Sequence, residues 1–392
     1  MPKVLGIIAE YEPFHLGHEY HLKEALKKTE ADVAIAAISG NFTQRGEPAI
    51  VDKWARAEMA LKAGFDLVVE MPFIFACNNA GYFAQSGVSI LEALGADYIA
   101  FGSETADVEA LLEAADARKN LSDEQIQEIK GLVKEGVSYP RALTMVLGDE
   151  KAYGPNDNLA VEYLRHMETA KPVPILRKGA GHGDLLEEEG LASATMIRKD
   201  LLKYGDMARV KGLIPEDTAE ILVRERAGHE YVGPEDMLPF IMARVASLDG
   251  AELDEIYGAE EGLGRKLKEE FRYADSYEKL VEALKSKRYT RTRIQRVLIH
   301  TLMNTRREDV LEGRNYIRVL GFREKGAEHL KNLKKQDGPG LPVIDNIKKD
   351  LSIHPELKTT VSFDIKASDM YNTMFGRDLY LNSEYVKKPL KL

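Results

Sequence analysis

The chain carries one cysteine, Cys77, in 392 residues. That count excludes an internal disulfide framework and any zinc site built from several cysteines. There is one tryptophan, Trp54, set in Lys53-Trp54-Ala55-Arg56 and read as core packing rather than as a base-stacking platform. No apolar run is long enough to span a bilayer, and the first residues lack the charged, apolar and cleavage regions of a secretory leader. A cytoplasmic protein with no membrane contact is therefore expected. Internal repeats and low-complexity tracts are also missing, and no protein partner is expected from the sequence.

The apolar and charged fractions, 44% and 30%, suit an ordinary globular protein, and the length suits two domains. Net charge is −10, which counts against a polyanionic partner if the charge is spread evenly. It is not even. Lys285 to Lys335 holds fifteen Lys or Arg against five Asp or Glu, about +10, so the remainder carries about −20. A basic block within an acidic chain is a candidate nucleic-acid surface.

The first half alternates strand and helix patterns. Val4–Ala9 reads as a buried strand, followed by a short loop and a helix from about Gly17 to Thr29. Further strands are predicted over 32–39, 67–71, 98–102 and 172–176. Helices are predicted over 53–63, 82–94, within 107–147, and over 158–169 and 193–203. Such alternation implies a parallel sheet with right-handed crossovers. Ligands of such sheets bind outside the carboxyl ends of the strands. The loops 10–17, 40–48, 102–105 and 177–184 all follow strands and could line one crevice. From about Tyr204 the pattern is mainly helical, with a possible strand over 341–344. The expected organisation is a Rossmann-like catalytic α/β domain over 1–205 and a mainly α-helical domain with the basic surface over 206–392.

His15-Leu16-Gly17-His18 stands where the first strand turns into the first helix. Free backbone N–H groups and the positive helix end already favour anions there. Two imidazoles add hydrogen-bond donors, and Gly17 lets a phosphate approach the backbone. This suits binding a nucleoside triphosphate and stabilising charge when its α-phosphate is attacked. Ala192-Ser193-Ala194-Thr195-Met196-Ile197-Arg198 begins the last helix of the first half. Ser and Thr there are good caps, and hydroxyls, free N–H groups and Arg198 also cradle phosphate. Lys287 to Arg296 mixes Lys287, Arg288, Arg291, Arg293 and Arg296 with one aromatic, a combination that suits RNA phosphates and a splayed base.

The first pattern resembles the HxGH motif of the nucleotidylyltransferase superfamily, and the second its ISSTxxR motif. Together with the run Gly40-Asn41-Phe42-Thr43-Gln44-Arg45-Gly46-Glu47-Pro48-Ala49 and the basic block, the chain resembles the bacterial tRNA(Met) cytidine acetate ligases, over most of its length. The resemblance implies that ATP and acetate give acetyl-adenylate and pyrophosphate. The acetyl group then passes to N4 of the wobble cytidine of elongator tRNA(Met), releasing AMP. It implies that the ATP is wrapped by Ile8, Ala9, Glu10, Tyr11, Glu12, Pro13, Phe14, His15, Leu16, Gly17, His18, Glu19, Tyr20 and His21. Gly102, Asn156 and Arg177 complete the pocket. His15 and His18 are the expected catalytic residues, and Ser193, Thr195 and Arg198 the expected holders of the β and γ phosphates. Mg²⁺ is expected with the ATP, although no metal cage is visible. Ser39, Gly40 and Asn41 are candidate acetate contacts from their loop's position. The chain departs from the family pattern at Glu12 and Leu16, where asparagines are usual, at Asn158, where an apolar residue is usual, and at Gly181-His182-Gly183-Asp184. Glu12 is expected to lower ATP affinity or to enlist the metal. Two rivals share these residues: an adenylyltransferase acting on a phosphorylated small molecule, and a non-catalytic RNA-binding protein.

Overall fold

The computed structural model describes residues 2–137, 139–148, 154–177, 193–228, 230–336, 338–374 and 383–392. The Gly181–Asp184 departure, residue 192 and most of the loop 177–184 lie outside them. The first half runs β1 (Val4–Ala9), α1 (Leu16–Thr29), β2 (Val33–Ser39), α2 (Lys53–Ala63), β3 (Leu67–Met71), the short α3 (Phe73–Ala76), α4 (Ala80–Ala93), β4 (Tyr98–Ser103), α5 (Val108–Lys119), α6 (Asp123–Lys134), α7 (Tyr139–Leu147), α8 (Pro155–His166), β5 (Lys171–Leu176) and α9 (Ala194–Tyr204). β5, β4, β1, β2 and β3 lie side by side in that order, all parallel.

Period-two alternation divides the strand residues between two cores. Leu5 and Ile7 of β1 and Ala34, Ala36 and Ile38 of β2 join Leu22 of α1 and Ala57 and Leu61 of α2. Val4, Ile8, Val33, Ile35 and Ala37 join Phe83, Val88 and Leu91 of α4 and Val161 of α8. Helices therefore cover both faces, as continuous apolar strands require. The chain starts at β1 and winds outward in both directions, so the switch in strand order falls between β1 and β4.

The second half is mainly helical, as expected, but it also adds two strands to the sheet. β6 (Arg318–Phe322) runs antiparallel along β3, and β7 (Leu390–Lys391) parallel along β6. The stretch 341–344 contributes only a single bridge, Val343 to Ile317, instead of a strand. A third core joins the helices Leu238–Ser247, Tyr277–Leu284, Arg291–Met303 and Lys358–Met374 to Phe42, Phe73, Ile74 and Phe75 of the first half. Among the described residues no helix is long and apolar enough to cross a membrane.

A buried charged cluster fastens the halves together. Lys53 Nζ, fully buried, lies 2.6 Å from Glu70 Oε2 and 2.7 Å from Glu384 Oε1. Ser368 Oγ also donates to Glu384 Oε1, at 2.7 Å, and Arg318 donates to the Glu384 carbonyl. A buried ammonium shared by two carboxylates is tolerable only with such partners. The cluster lies below loop 40–48 and holds its base in place.

Candidate active site

The loop that follows β1 is held by its own polar groups. His15 is the N-cap of α1: its Nδ1 accepts from the Gly17 N–H at 3.0 Å. His18, one turn on, accepts from the His15 N–H through Nδ1 at 3.3 Å. The two imidazoles stack with ring centroids 3.7 Å apart. Tyr11 and Phe14 flank the His18 ring, with centroids at 5.0 and 5.5 Å. Gly17 is required, because a Cβ there would fall 2.8 Å from the His15 ring.

Burial pushes the His15 imidazole down to about 3, with Arg177 and Arg198 adding to the effect. Burial also pushes His18 well below its ordinary value, helped by His15, His21 and Arg177. Both rings are neutral at pH 7. Since each Nδ1 accepts a backbone hydrogen bond, the ring proton belongs on Nε2. The helix cap thus fixes the tautomer and leaves two Nε2–H donors. His21 behaves differently. It donates to the Phe101 backbone, burial lowers it to about 4, and its buried Nε2 has no partner among the described residues. It therefore presents an acceptor.

These rings line a cavity of about 240 Å³ beyond the carboxyl ends of β1 and β4, at the switch in strand order. Of the residues expected around ATP, the wall contains Ile8, Ala9, Glu10, Tyr11, Glu12, His15, Gly17, His18, Tyr20, His21, Gly102, Asn156, Arg177 and Arg198. Pro13, Phe14, Leu16, Glu19, Ser193 and Thr195 are not in it. Phe14 is core. The Leu16 N–H bonds the Leu213 carbonyl, and Glu19 pairs with Lys23. Ser193 caps α9 by accepting from the Met196 N–H. Thr195 faces a neighbouring cavity. Sequence reasoning missed the apolar lining from Phe101, Leu159, Tyr163 and Ile175. Residues 159 and 163 are one turn apart on α8, and that spacing was the available signal.

Arg198 reaches the wall from the first turns of α9 and is fully engaged. Its Nε lies 3.1 Å from Glu12 Oε2, Nη1 donates to the Glu12 carbonyl at 2.9 Å, and Nη2 donates to Thr195 Oγ1 at 3.3 Å. Glu12 also accepts from the Ile50 N–H at 2.7 Å. Burial pushes its carboxyl up to about 7, against the opposing pull of Arg198. Arg177 donates to Asn156 Oδ1 at 3.0 Å, and Asn156 donates to Glu104 at 2.6 Å. Gly102 lies beneath the Arg177 side chain, so a Cβ would meet Arg177 Cγ at 3.4 Å.

Ser39, Gly40 and Asn41 sit elsewhere. They lie below the cavity and their polar groups are taken. Arg56, fully buried, donates to the Gly40 carbonyl and to that of Glu10, and Asn41 accepts from the Lys53 N–H. Arg56 and the Lys53 cluster went unnoticed in the sequence, although a glutamate inside the apolar run Leu67-Val68-Val69-Glu70-Met71 is the sign of a buried ion pair.

The basic block forms the start of the helix Arg291–Met303 and the turn before it. Part of its charge is spent inside the chain. Arg291 pairs with both Glu278 carboxylate oxygens, at 2.5 and 2.6 Å, and Arg293 with Glu261 at 3.1 Å. Arg288 donates to the Lys134 carbonyl, and Lys287 is exposed. A second cavity, about 540 Å³, shares Arg198 with the first and extends past Arg45 and Lys199 to Arg291.

A family model described as HIGH nucleotidyl transferase matches residues 2–384. The tRNA(Met) cytidine acetate ligase of Bacillus licheniformis is 37% identical over 99% of this chain and 97% of that protein. That of Caldanaerobacter subterraneus subsp. tengcongensis is 39% identical over 98% and 94%. The crystal structure of apo Thermotoga maritima TmcAL superposes with a TM-score of 0.91 at 33% identity, covering 100% of this chain and 99% of the other. TmcAL bound with alpha-thio ATP gives 0.89 at the same identity.

Proposed function

The chain belongs to the HIGH nucleotidyl transferases and, among them, to the tRNA(Met) cytidine acetate ligases, and from that premise we propose that it joins acetate to ATP and passes the acetyl group to tRNA. An acetate oxygen attacks the α-phosphorus and pyrophosphate leaves, giving acetyl-adenylate. The N4 amine of the wobble cytidine of elongator tRNA(Met) then attacks the acyl carbon. AMP leaves and the amine gives up a proton.

The observation that carries this reading is the pair of neutral, tautomer-fixed histidines, set with Arg177 and Arg198 in a cavity at the β1/β4 switch. A carboxylate nucleophile needs no general base. Catalysis of the first step then rests on positioning and on charge stabilisation. As negative charge grows on the α-phosphate and the departing pyrophosphate, the His15 and His18 Nε2–H donors strengthen. Being neutral and already oriented, they cost no reorganisation at that moment. Arg198, locked through all three nitrogens, and Arg177 counter the triphosphate. Ile8 and the other wall residues named above hold the nucleotide, and His21 Nε2 accepts from one of its hydroxyl or amine groups. Thr195 orients Arg198, and Ser193 caps the helix that carries it.

ATP arrives with Mg²⁺ in this reading. Among the described residues no three His, Cys, Asp or Glu side chains cluster to hold a metal. Glu10 and Glu12, the carboxylates of the wall, already accept from Gln44 N–H and from Arg198. The residues present do not make a protein-held site, so the ion stays with the triphosphate and no step is assigned to it.

The second step needs the cytidine unstacked and delivered to the adenylate. The cavity that shares Arg198 and leads to Arg291 supplies a route, with Lys287, Arg288, Arg291, Arg293 and Arg296 along the RNA. The test is pyrophosphate release from ATP by the purified protein, with and without acetate and with and without elongator tRNA(Met). Acetate-dependent release, with N4-acetylcytidine appearing in the tRNA, is expected. ATP turnover indifferent to acetate overturns the proposal.

A further inference from the structure

A third cavity, about 350 Å³, lies beyond the carboxyl end of β3, across the tip of loop 40–48 from the second cavity, the one that holds Arg291. Its wall includes Tyr82, Tyr257, His300, Arg293, Arg296 and Arg307. The loop tip separates the two spaces tightly. Gly46, at φ +82°, packs on the backbone of Gln295 and Arg296, where a Cβ would come within 2.8 Å, and Glu47 accepts from the Gln295 side chain. The start of the basic helix therefore presents Arg291 to one side of the loop and Arg293 and Arg296 to the other.

The charges in this cavity are unbalanced. Arg293 is paired with Glu261. Arg296, one turn on, is half-buried, and no ion pair or hydrogen bond of its guanidinium is found among the described residues. Arg307 is exposed and likewise has no ion pair among them. Glu260 is the carboxylate in the wall. Partly desolvating a guanidinium without a counter-charge is unfavourable unless an anion completes it.

The rest of the wall suits a base. The Tyr257 ring stands edge-on to the His300 imidazole, with centroids 5.2 Å apart, and its hydroxyl donates to Asn78 Oδ1 at 3.0 Å. His300 is buried, and its Nε2 bonds the Cys77 carbonyl at 2.9 Å, so Nε2 carries the proton. Its Nδ1 is then an acceptor, buried and with no partner among the described residues. A free cation, an aromatic wall and an unfilled acceptor match a phosphodiester with its nucleoside.

We propose that this cavity is a second RNA-contact site, in which Arg296 and Arg307 hold a backbone phosphate of the tRNA and Tyr82 and Tyr257 flank an unpaired base, away from the cytidine being modified. The proposal rests on the tRNA-modifying reading above. It extends the RNA track around loop 40–48, from Arg291 to Arg307.

The test measures binding of an anticodon stem-loop RNA by fluorescence anisotropy across a salt series, for the wild-type protein, Arg296→Gln and Arg307→Gln. Arg307 is exposed, so its replacement leaves the fold unperturbed even if Arg296→Gln is destabilised. Each variant is expected to bind about five- to tenfold more weakly. The slope of log K against log salt should flatten by about 0.7 for each lost phosphate contact on single-stranded RNA. Wild-type affinity and slope in both variants overturns the site. CMP and inorganic phosphate are titrated in parallel. Loss of their binding with RNA binding unchanged assigns the cavity to a free nucleotide and overturns the RNA assignment. Acetate-dependent pyrophosphate release by wild-type protein, measured without RNA, separates failure of this site from failure of the chemical reading.

Discussion

The reciprocal cap between His15 and His18 makes a sharp demand on substitutions at residue 18. The imidazole does two jobs at opposite ring nitrogens: Nδ1 accepts the His15 N–H at 3.3 Å, and Nε2–H is left for the nucleotide. Asparagine can place its Oδ1 where Nδ1 stands, which keeps the cap, but it has nothing at the Nε2 position. Glutamine reaches the Nε2 position with its amide and gives up the cap. His18→Asn should therefore fold normally and bind ATP with little change, since the lost interaction strengthens only as the phosphorus is attacked. One donor of this kind is worth about 10²–10³ in rate, or roughly 2.7–4 kcal/mol. Acetate-dependent pyrophosphate release should fall by that factor in His18→Asn and recover in part in His18→Gln. The assay is single-turnover pyrophosphate release, with ATP affinity measured by calorimetry and folding by thermal melting. A rate within about threefold of wild type in His18→Asn refutes the reasoning. So does an ATP affinity that falls as much as the rate, because the ring would then be a ground-state ligand.

Three further outcomes follow from the same geometry. The Glu12 carboxyl, pushed up to about 7 by burial, loses its charge as pH falls through neutrality, so ATP affinity should strengthen from pH 8 to pH 6; Glu12→Gln should bind ATP about three- to tenfold more tightly at pH 8 and abolish that dependence, and a pH-independent wild-type affinity would sink this. Gly17→Ala places a Cβ 2.8 Å from the His15 ring, and an overpacked contact costs roughly 1–3 kcal/mol; displacement of the ring should cut pyrophosphate release at least about tenfold while lowering the melting temperature by only a few degrees, and wild-type turnover would refute it. Between about pH 6 and 5 the unfolded chain protonates His15, His18, His21 and His300 while the folded chain holds them neutral, whereas folded Glu12 and Asp364, raised to about 7 and 8, keep protons that the unfolded chain releases. In that window the unfolded state thus binds between one and two more protons, so stability is greatest near pH 6.5 and falls by roughly 2 kcal/mol per pH unit on acidification, while toward pH 8 it falls again because folded Glu12 and Asp364 hold protons that the unfolded chain has released; equal urea midpoints at pH 6 and 5 would contradict this.

The sequence made the strand–loop–helix at residues 4–29 legible because its signals are local. A β-branched run, a loop and a helix with Leu22 and Ala25 on one stripe all fall within thirty residues, and α2 and β3 begin and end where the pattern places them. The contacts that could not be read are long-range. Arg318-Val319-Leu320-Gly321-Phe322 carries a charge and a glycine and sits in the basic block, so nothing local marks it as a strand. It becomes one because the β3 edge is open to it, and because the Ile344, Asp345 and Glu384 carbonyls take the Arg318 guanidinium. Composition likewise counted Arg291 and Arg293 as free positive charge. The fold gives each a carboxylate, Glu278 and Glu261, from neighbouring segments.

Loop 40–48 explains why the chemistry and the helical half are inseparable here. Its base is pinned from below, where Arg56 draws the Gly40 carbonyl and the Glu10 carbonyl to one guanidinium, so the loops after β1 and β2 cannot move independently. Its middle is anchored from the side, where Phe42 enters the helical core beside Phe73 and Tyr371. Its tip is capped from above by the backbone of Gln295 and Arg296. A small adenylating enzyme needs only the first of these contacts. The other two couple the position of Glu10, and through the same loop the histidine cap that follows it, to the helix bearing the basic residues. On the proposed reading, RNA drawn to Arg291 and Arg296 would press on the segment that shapes the ATP cavity. A catalytic half cut off at residue 205 would leave Phe42 exposed and Gly46 unsupported, and we expect it to lose the cavity along with the RNA surface.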